Sequence, residues 1–172
     1  MLNPEHSAPM NENLSIVEAD FGSEEHQAAV LQLLQEYAAD PLGNGASLPL
    51  GSVRHLLPRL RDEPKVITLL AYWDTMPAGI AICYRGFSVE NDAPLLIISD
   101  FSVRPEFRRR GIGRQILAFI EKLARQLDSP YLTLRVRETN LRALRLYQAA
   151  GFSQTPASED KTGVLCLEKV LG

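Results

Sequence analysis

Apolar positions along the chain change their rhythm several times, and each change predicts an element. The run LSIVEAD, from Leu14, alternates weakly and reads as a first strand; in HQAAVLQLLQEYAAD, Ala29, Val30, Leu33, Leu34 and Tyr37 then recur at helical spacing. PLGNGASLPLGS is dense in Gly and Pro and predicts a loop, after which SVRHLLPRLRD reads as a second, short helix opened by Ser52 as N-cap. Three strand-like runs follow: KVITLLAYW, AGIAICYRG and PLLIISDFSV. The first two are separated by DTMP, suited to a hairpin turn, so an antiparallel meander is expected.

The third run feeds into Arg104 and Pro105, and from Gly111 onward Ile112, Ile116, Ile120, Leu123 and Leu127 form an apolar stripe, the mark of an amphipathic helix. YLTLRVRE is rich in strand formers. Asn140 can cap a helix running to about Ala150, which Gly151 would end in a left-handed turn with Phe152 packing back on it. TGVLCLEKV closes the chain as a last strand, and neither an internal repeat nor an inter-domain linker stands out.

With 172 residues, 45% hydrophobic and 23% charged, the chain suits one folded domain with a sizeable core. MLNPEHSAPMNEN has no apolar segment and no basic start, so it is not a secretory signal; residues 1–12 are expected to be a flexible tail and 13–172 a single domain. The longest apolar runs fall well short of the roughly 18 residues a membrane helix needs, so no membrane association is expected. Cys83 and Cys166 sit in apolar strand runs and read as small core residues, which fits a reducing cytoplasm. His6, His26 and His55 show no metal-ligand spacing, and no metal is expected.

The formal charge of −3 argues against a nucleic-acid coat, which needs a basic face. Against that sign, Arg104, Arg108, Arg109, Arg110 and Arg114 crowd one short stretch around FRRRGIGRQIL. The first N–H groups of a helix lack partners and carry partial positive charge, so an anion fits there; glycines at 111 and 113 let it approach the backbone, and the arginines add charged donors. A dinucleotide fingerprint would need a third glycine where Ile116 stands, and a P-loop would need Gly-Lys-Ser/Thr. The stretch therefore reads as a phosphate cradle, or as a tight strand-to-helix turn with solvated arginines.

Two patterns taken together resemble the GNAT superfamily of acyl-coenzyme A dependent N-acetyltransferases. VRPEFRRRGIGRQIL is similar to its Arg/Gln-x-x-Gly-x-Gly/Ala signature, with Arg108, Gly111 and Gly113 in the defining places. NLRALRLYQAAGF resembles the second signature through Asn140, Ala143, Tyr147, Gly151 and Phe152. The resemblance implies an α/β (α+β) fold, a central, mostly antiparallel mixed sheet flanked by helices. It implies acetyl-coenzyme A as cosubstrate, its pantetheine arm along the strand Phe101, Ser102 and Val103 and near Asn140 and Ala143. The pyrophosphate would lie on the N–H groups of Arg108, Arg109, Arg110, Gly111, Ile112, Gly113 and Arg114.

Acetyl transfer to an amine sets three chemical demands. A lysine-like amine is neutral roughly once in two or three thousand molecules at pH 7, so a base or water relay must take a proton. An oxyanion needs a donor, which a backbone N–H near Phe101 to Val103 supplies if a strand irregularity leaves it unpaired. The departing thiolate needs a proton, and by its family position Tyr147 is that general acid. No base is assigned. Some amine-acetylating relatives carry a glutamate just before the aspartate of the strand; here that place is Ser99, and strand alternation sends Asp100 to the other face unless a bulge intervenes. Glu36, Asp40 and Ser99 are candidates to line the acceptor pocket, the two acids drawing in a cationic amine; as solvated helix-end charges they would do nothing. Trp73 and Tyr84 are candidates for an apolar wall. The expectation is an enzyme acetylating a primary amine of a small molecule or peptide, cytoplasmic, with no nucleic-acid partner and with homodimerisation open. The rival reading is an acyl-coenzyme A sensor that kept the cradle and lost catalysis.

Overall fold

The computed structural model describes residues 12–41, 50–155 and 163–172, with side chains in the second helix from His55 onward. Most of the expected tail and the centre of the expected PLGNGASLPLGS loop lie outside the described residues. Among the described residues seven strands form one sheet in the order β1-β2-β3-β4-β5-β7-β6. They are β1 (Leu14–Glu18), β2 (Val66–Trp73), β3 (Met76–Ser88), β4 (Ala93–Val103), β5 (Tyr131–Arg137), β6 (Ser153–Gln154) and β7 (Val164–Val170). Every neighbouring pair is antiparallel except β4 and β5. This is the mixed, mostly antiparallel sheet that the meander and the later strand–helix–strand pattern predict; the two-residue β6 carries too few positions to leave a signal.

Among the described residues four helices cover the sheet: α1 (Glu24–Ala39), α2 (Leu50–Asp62), α3 (Ile112–Gln126) and α4 (Leu141–Ala149). α1 and α2 lie on one face, where Val30, Leu33, Leu34 and Leu60 pack on Leu70, Tyr72, Ile80 and Ile82. α3 and α4 lie on the other, where Ile112, Ile116, Ile120 and Tyr147 pack on Ala81, Cys83, Leu96, Ile98 and Leu134. Both cores follow from the sequence rhythm, since alternating strand positions feed opposite faces and each helix buries one stripe. Ser23 caps α1, its hydroxyl accepting from the His26 N–H, and Glu24 and Glu25 favour the positive end of that helix. α2 begins at Leu50, so Ser52 lies inside it and is not its N-cap; a cap residue must sit at non-helical dihedrals before the first turn.

α4 is held at both ends. The Asn140 side chain accepts from the Ala143 N–H at 3.2 Å. At the other end Gly151 takes φ 91°, its N–H donates to Gln148 O at 3.0 Å, and the Phe152 N–H donates to Tyr147 O at 3.0 Å. Those two bonds are the Schellman pattern, completed by the Tyr147 and Phe152 rings with centroids 5.9 Å apart. The glycine expected to stop the helix thereby fixes the position of Tyr147.

Two irregularities meet on β4. Ile82 pairs with Asp100 while Cys83 pairs with Ile98, which leaves Ser99 as an extra residue in a bulge. The parallel pairing with β5 also stops at Ile98 and Leu134, so beyond that point β4 and β5 part. A regular strand would have sent the Ser99 and Asp100 side chains to opposite faces; with the bulge they meet, the Ser99 hydroxyl donating to the Asp100 carboxylate at 2.6 Å.

Candidate functional site

The parting of β4 and β5 opens a slot through the sheet, and a cavity of about 540 Å³ fills it. Phe101, Ser102, Val103 and Ser99 line it from β4, Asn140, Ala143 and Tyr147 from α4, and Arg108, Arg109, Gly111, Ile112, Gly113 and Arg114 from the turn into α3. Of the residues expected around the cofactor, only Arg110 is missing from this wall. Tyr37 and Asp40 reach the same cavity from α1, on the opposite face.

The turn into α3 is built for an anion. After a short 3-10 turn (Pro105–Phe107), Arg109 and Gly111 take left-handed conformations, φ 63° and 79°, before α3 begins at Ile112. Left- and right-handed residues in succession gather backbone N–H groups into one concavity, the geometry of an anion nest. Gly111 is the N-cap of α3 and provides no side-chain cap hydrogen bond, which leaves the first N–H groups of that helix to a ligand. The glycines differ in purpose. A Cβ on Gly111 would meet nothing within 4 Å, so its left-handed φ is what requires glycine; a Cβ on Gly113 would lie 3.0 Å from Leu146 Cδ2, so its bareness lets α3 and α4 approach.

The arginines divide the work. Arg109 and Arg114 are exposed and face the cavity. Arg108 is half-buried, its Nε donating to Val103 O at 2.8 Å and its Nη2 pairing with Asp40 at 2.9 Å. The Arg110 guanidinium turns away, 4.9 Å from the Trp73 ring centroid and 5.5 Å from that of Phe107. Arg104 pairs with Glu36 at 2.7 Å and with Glu106 at 2.9 Å. Glu36 thus lies outside the main cavity, in an adjoining one of about 560 Å³ that Asp40 also reaches. Both helix-end acids are joined to arginines rather than left open to an amine.

Tyr147 is buried, with its ring edge-on to Phe101 at 5.8 Å. Burial, and then the neighbouring Tyr37, push its phenol well above the ordinary tyrosine range, so the hydroxyl keeps its proton at neutral pH. Tyr37 is raised too, by burial, then by Asp100 and Asp40, while Arg137 pulls the other way. Tyr37, Arg135 and Arg137 therefore line the α1 side of the cavity, with Asp100, bonded to the lining Ser99, near enough to act on Tyr37. Sequence reasoning missed Tyr37, Arg135, Arg137 and Arg142 as site residues. Strand alternation could have put Arg135 and Arg137 on one face together, but only the unforeseen parting of β4 and β5 makes that face part of a cavity.

Trp73 stacks on Arg110, and Tyr84 stands half-exposed opposite Ile97, so neither walls the cavity. Cys83 is a buried free thiol, pushed up to about 12 by burial and then by Asp100. His26 accepts from the Asp20 N–H at 2.9 Å. Among the described residues no group of three His, Cys, Asp or Glu could hold a metal ion, and no helix is long and apolar enough to cross a membrane.

Comparison with known proteins bears on the family and the fold. The model of a family described as the acetyltransferase (GNAT) family matches residues 29–152. An aminoglycoside N(6')-acetyltransferase type 1 of Salmonella typhimurium (strain LT2) is 25% identical over 93 residues, half of this chain and 64% of that protein, so the chain spans less than two thirds of the relative's length. Among solved structures, the PaiA N-acetyltransferase from Thermoplasma acidophilum in complex with coenzyme A superposes with a TM-score of 0.67 at 15% identity, covering 91% of this chain and 98% of that one. An aminoglycoside acetyltransferase from an uncultured soil metagenomic sample, in complex with trehalose, reaches 0.69 at 18% identity over 88% and 93%. At such identities the structural likeness speaks for the fold.

Proposed function

The chain belongs to the acetyltransferase (GNAT) family, and on that premise we propose that it is an acetyl-coenzyme A dependent N-acetyltransferase acting on a primary amine. The observation that carries the proposal is the slot: a nest of backbone N–H groups along its wall, a buried protonated phenol, and a bulge whose lining Ser99 holds the Asp100 carboxylate beside it. Coenzyme A fits the chain's own features. The left-handed Gly111, the uncapped start of α3 and the exposed Arg109 and Arg114 suit its pyrophosphate, and the freed edge of β4 beyond Ile98 suits its amide-rich arm. When bound, acetyl-coenzyme A supplies the thioester carbon that the amine attacks, forming a C–N bond as the C–S bond breaks.

The residues divide that reaction by face. Asp100 shares the face of Ile82, with α1, and Phe101 shares that of Ala81, with α3 and Tyr147. The amine enters from the α1 face, where Asp100, oriented by the Ser99 hydroxyl, accepts its proton directly or through water. Tyr147, on the α3 and α4 face, gives its proton to the departing sulfur; phenol to thiolate is modestly uphill, by about 1.5 pKa units for unperturbed groups, and burial adds to it, so transfer is coupled to C–S cleavage. A backbone N–H of β4 beyond the bulge, freed from β5, would steady the oxyanion.

The test has two stages. Calorimetry should give micromolar binding of coenzyme A and acetyl-coenzyme A to the folded protein, and thiol release should then follow when amines are added. Binding without thiol release from any amine would leave an acyl-coenzyme A sensor, and absence of binding would sink the acetyltransferase reading altogether.

A further inference from the structure

The chemistry of the acceptor can be taken further, on the basis of the activity just proposed. Alternation along β5 buries Leu132, Leu134 and Val136 under α3 and α4 and leaves Arg135 and Arg137 exposed on the α1 face. Both line the slot, two residues apart on one strand face, about 7 Å from Cα to Cα. Among the described residues neither forms an ion pair; Glu138, next to Arg137, and Glu168, on β7 opposite Thr133, are the nearest acids by strand position, and neither pairs with them. A third guanidinium, Arg142, reaches the same cavity from the first turn of α4, and its pKa is lowered by burial and then by Arg108, more than Asp40 restores.

The acids tell the same story from the other side. A pocket for a polycation needs free carboxylates, yet Asp40 is paired with Arg108 and Glu36 with Arg104. Among the described residues near the slot Asp100 remains, bonded by Ser99, and the proposed reaction gives it the amine proton. Among the described residues, the slot thus has Asp100 beside it for an amine and the Arg135 and Arg137 guanidinium groups for an anion, and guanidinium forks match oxyanions by paired hydrogen bonds.

We propose that Arg135 and Arg137 receive an anionic oxygen group of the acceptor, so that the substrate is an amine that also carries a carboxylate or a phosphate, and not a polycation. The amine then points at Asp100 and the slot while the anion rests on β5.

Matched acceptors test this in the thiol-release assay with the full chain: leucine against leucinamide, and phosphoethanolamine against ethanolamine, with kanamycin and spermine as polycations. The expected result is at least a tenfold higher kcat/KM for the anionic member of one pair, and the pair that responds tells carboxylate from phosphate. In an R135Q/R137Q double variant that preference should collapse towards unity, with the KM for acetyl-coenzyme A unchanged. R135K/R137K should recover part of it, a rescue that a merely structural role would not give. Preference for the neutral members or the polycations overturns the inference. A double variant that raises the KM for acetyl-coenzyme A overturns it too, because the arginines would then serve the cofactor's phosphates. Silence of every acceptor while coenzyme A still binds counts against the inference and the enzyme reading together, whereas turnover of polycations alone sinks only the inference.

Discussion

The two sides of the slot are made of different material. Towards α3 and α4 the surface that would meet a ligand is largely backbone: the nest at Arg109 to Gly111, the open start of α3 and the unpaired edge of β4. Towards α1 it is side chains, with Tyr37 and Asp40 from the helix, Ser99 from the bulge with Asp100 bonded to it, and Arg135 and Arg137 from β5. A backbone site depends on dihedral angles and close approach, so it demands glycine at fixed spacing and tolerates much else. A side-chain site can be retuned one residue at a time without moving the chain. The first side therefore suits a constant ligand, the second a variable one.

The hardest test of that difference is Gly111→Glu. The position has room for a side chain but not the dihedral freedom, and the new carboxylate would occupy the anion nest. We expect coenzyme A affinity to fall at least ~100-fold, about 2.7 kcal/mol, by calorimetry on a variant whose far-ultraviolet spectrum shows it folded. Affinity within threefold of wild type would mean that the phosphates lie elsewhere and the backbone side is only a turn.

Tyr147→Phe comes next, because it removes one hydroxyl at the meeting point of the two sides and leaves the ring packing intact. The expected loss is about 10- to 100-fold in kcat, at the low end for a general acid because a thiolate is a good leaving group, with little change in either KM. The phenol is raised above its usual range, so its proton is present throughout neutral pH and is lost only as pH climbs through that raised value. Wild-type turnover should accordingly rise from pH 6 to 9 as more amine becomes neutral, with no falling limb from Tyr147. A fall in rate over that interval would assign the proton donation to another group.

The same difference decides what could be read before the structure. Gly111, Asn140 and Gly151 are legible because each answers a local backbone need, a left-handed residue or a cap, and Gly113 because a bare position lets α4 approach α3; such needs leave spacing in the sequence. The strand and helix order was legible for a similar reason, since apolar period follows from which face is buried. The bulge at Ser99 was not, because it is a misfit between β3 and β4 that no single run records; without it Asp100 and Ser99 read as pointing apart. Arg108 and Arg110 were legible as cations but not in their contacts, because a long side chain reaches whatever the fold brings near: Asp40 for one and Trp73 for the other. Ser52 misled because a serine before an apolar stretch looks like a cap wherever the helix truly starts.

A smaller effect is expected where α1 is tied to the turn. Asp40→Asn leaves Arg108, partly buried at 22% exposure, without its charge partner, although its bond to Val103 O remains. A pair of this intermediate burial lies between exposed bridges and buried ones, so about 1–2 kcal/mol of stability should go, a melting shift of roughly 2–8 °C for a chain of this size. Because Asp40 belongs to the side-chain side, acceptor KM should change more than coenzyme A affinity. Equal changes in both would show that the ion pair holds the whole slot rather than one wall.

The smallest effect is also the finest probe, because Trp73 touches no part of the cavity. Its ring lies under Arg110 at 4.9 Å, and Arg110 sits between Arg109 and Gly111, the two left-handed residues of the nest. Stacking at an exposed guanidinium is worth about 0.5–1 kcal/mol, which is roughly a two- to fivefold change in an equilibrium constant. If Arg110 serves the cofactor by pinning the turn, Trp73→Leu should weaken coenzyme A binding by about that factor and Trp73→Phe by less, in both cases with acceptor KM unaltered. Arg110→Ala, which also loses the Phe107 ring and the Glu106 carbonyl, should then cost somewhat more than Trp73→Leu, and the double variant should add little to Arg110→Ala. If Arg110 instead reaches a phosphate directly when ligand is bound, Arg110→Ala would cost far more than Trp73→Leu, and the backbone side of the slot would owe part of its affinity to a side chain after all.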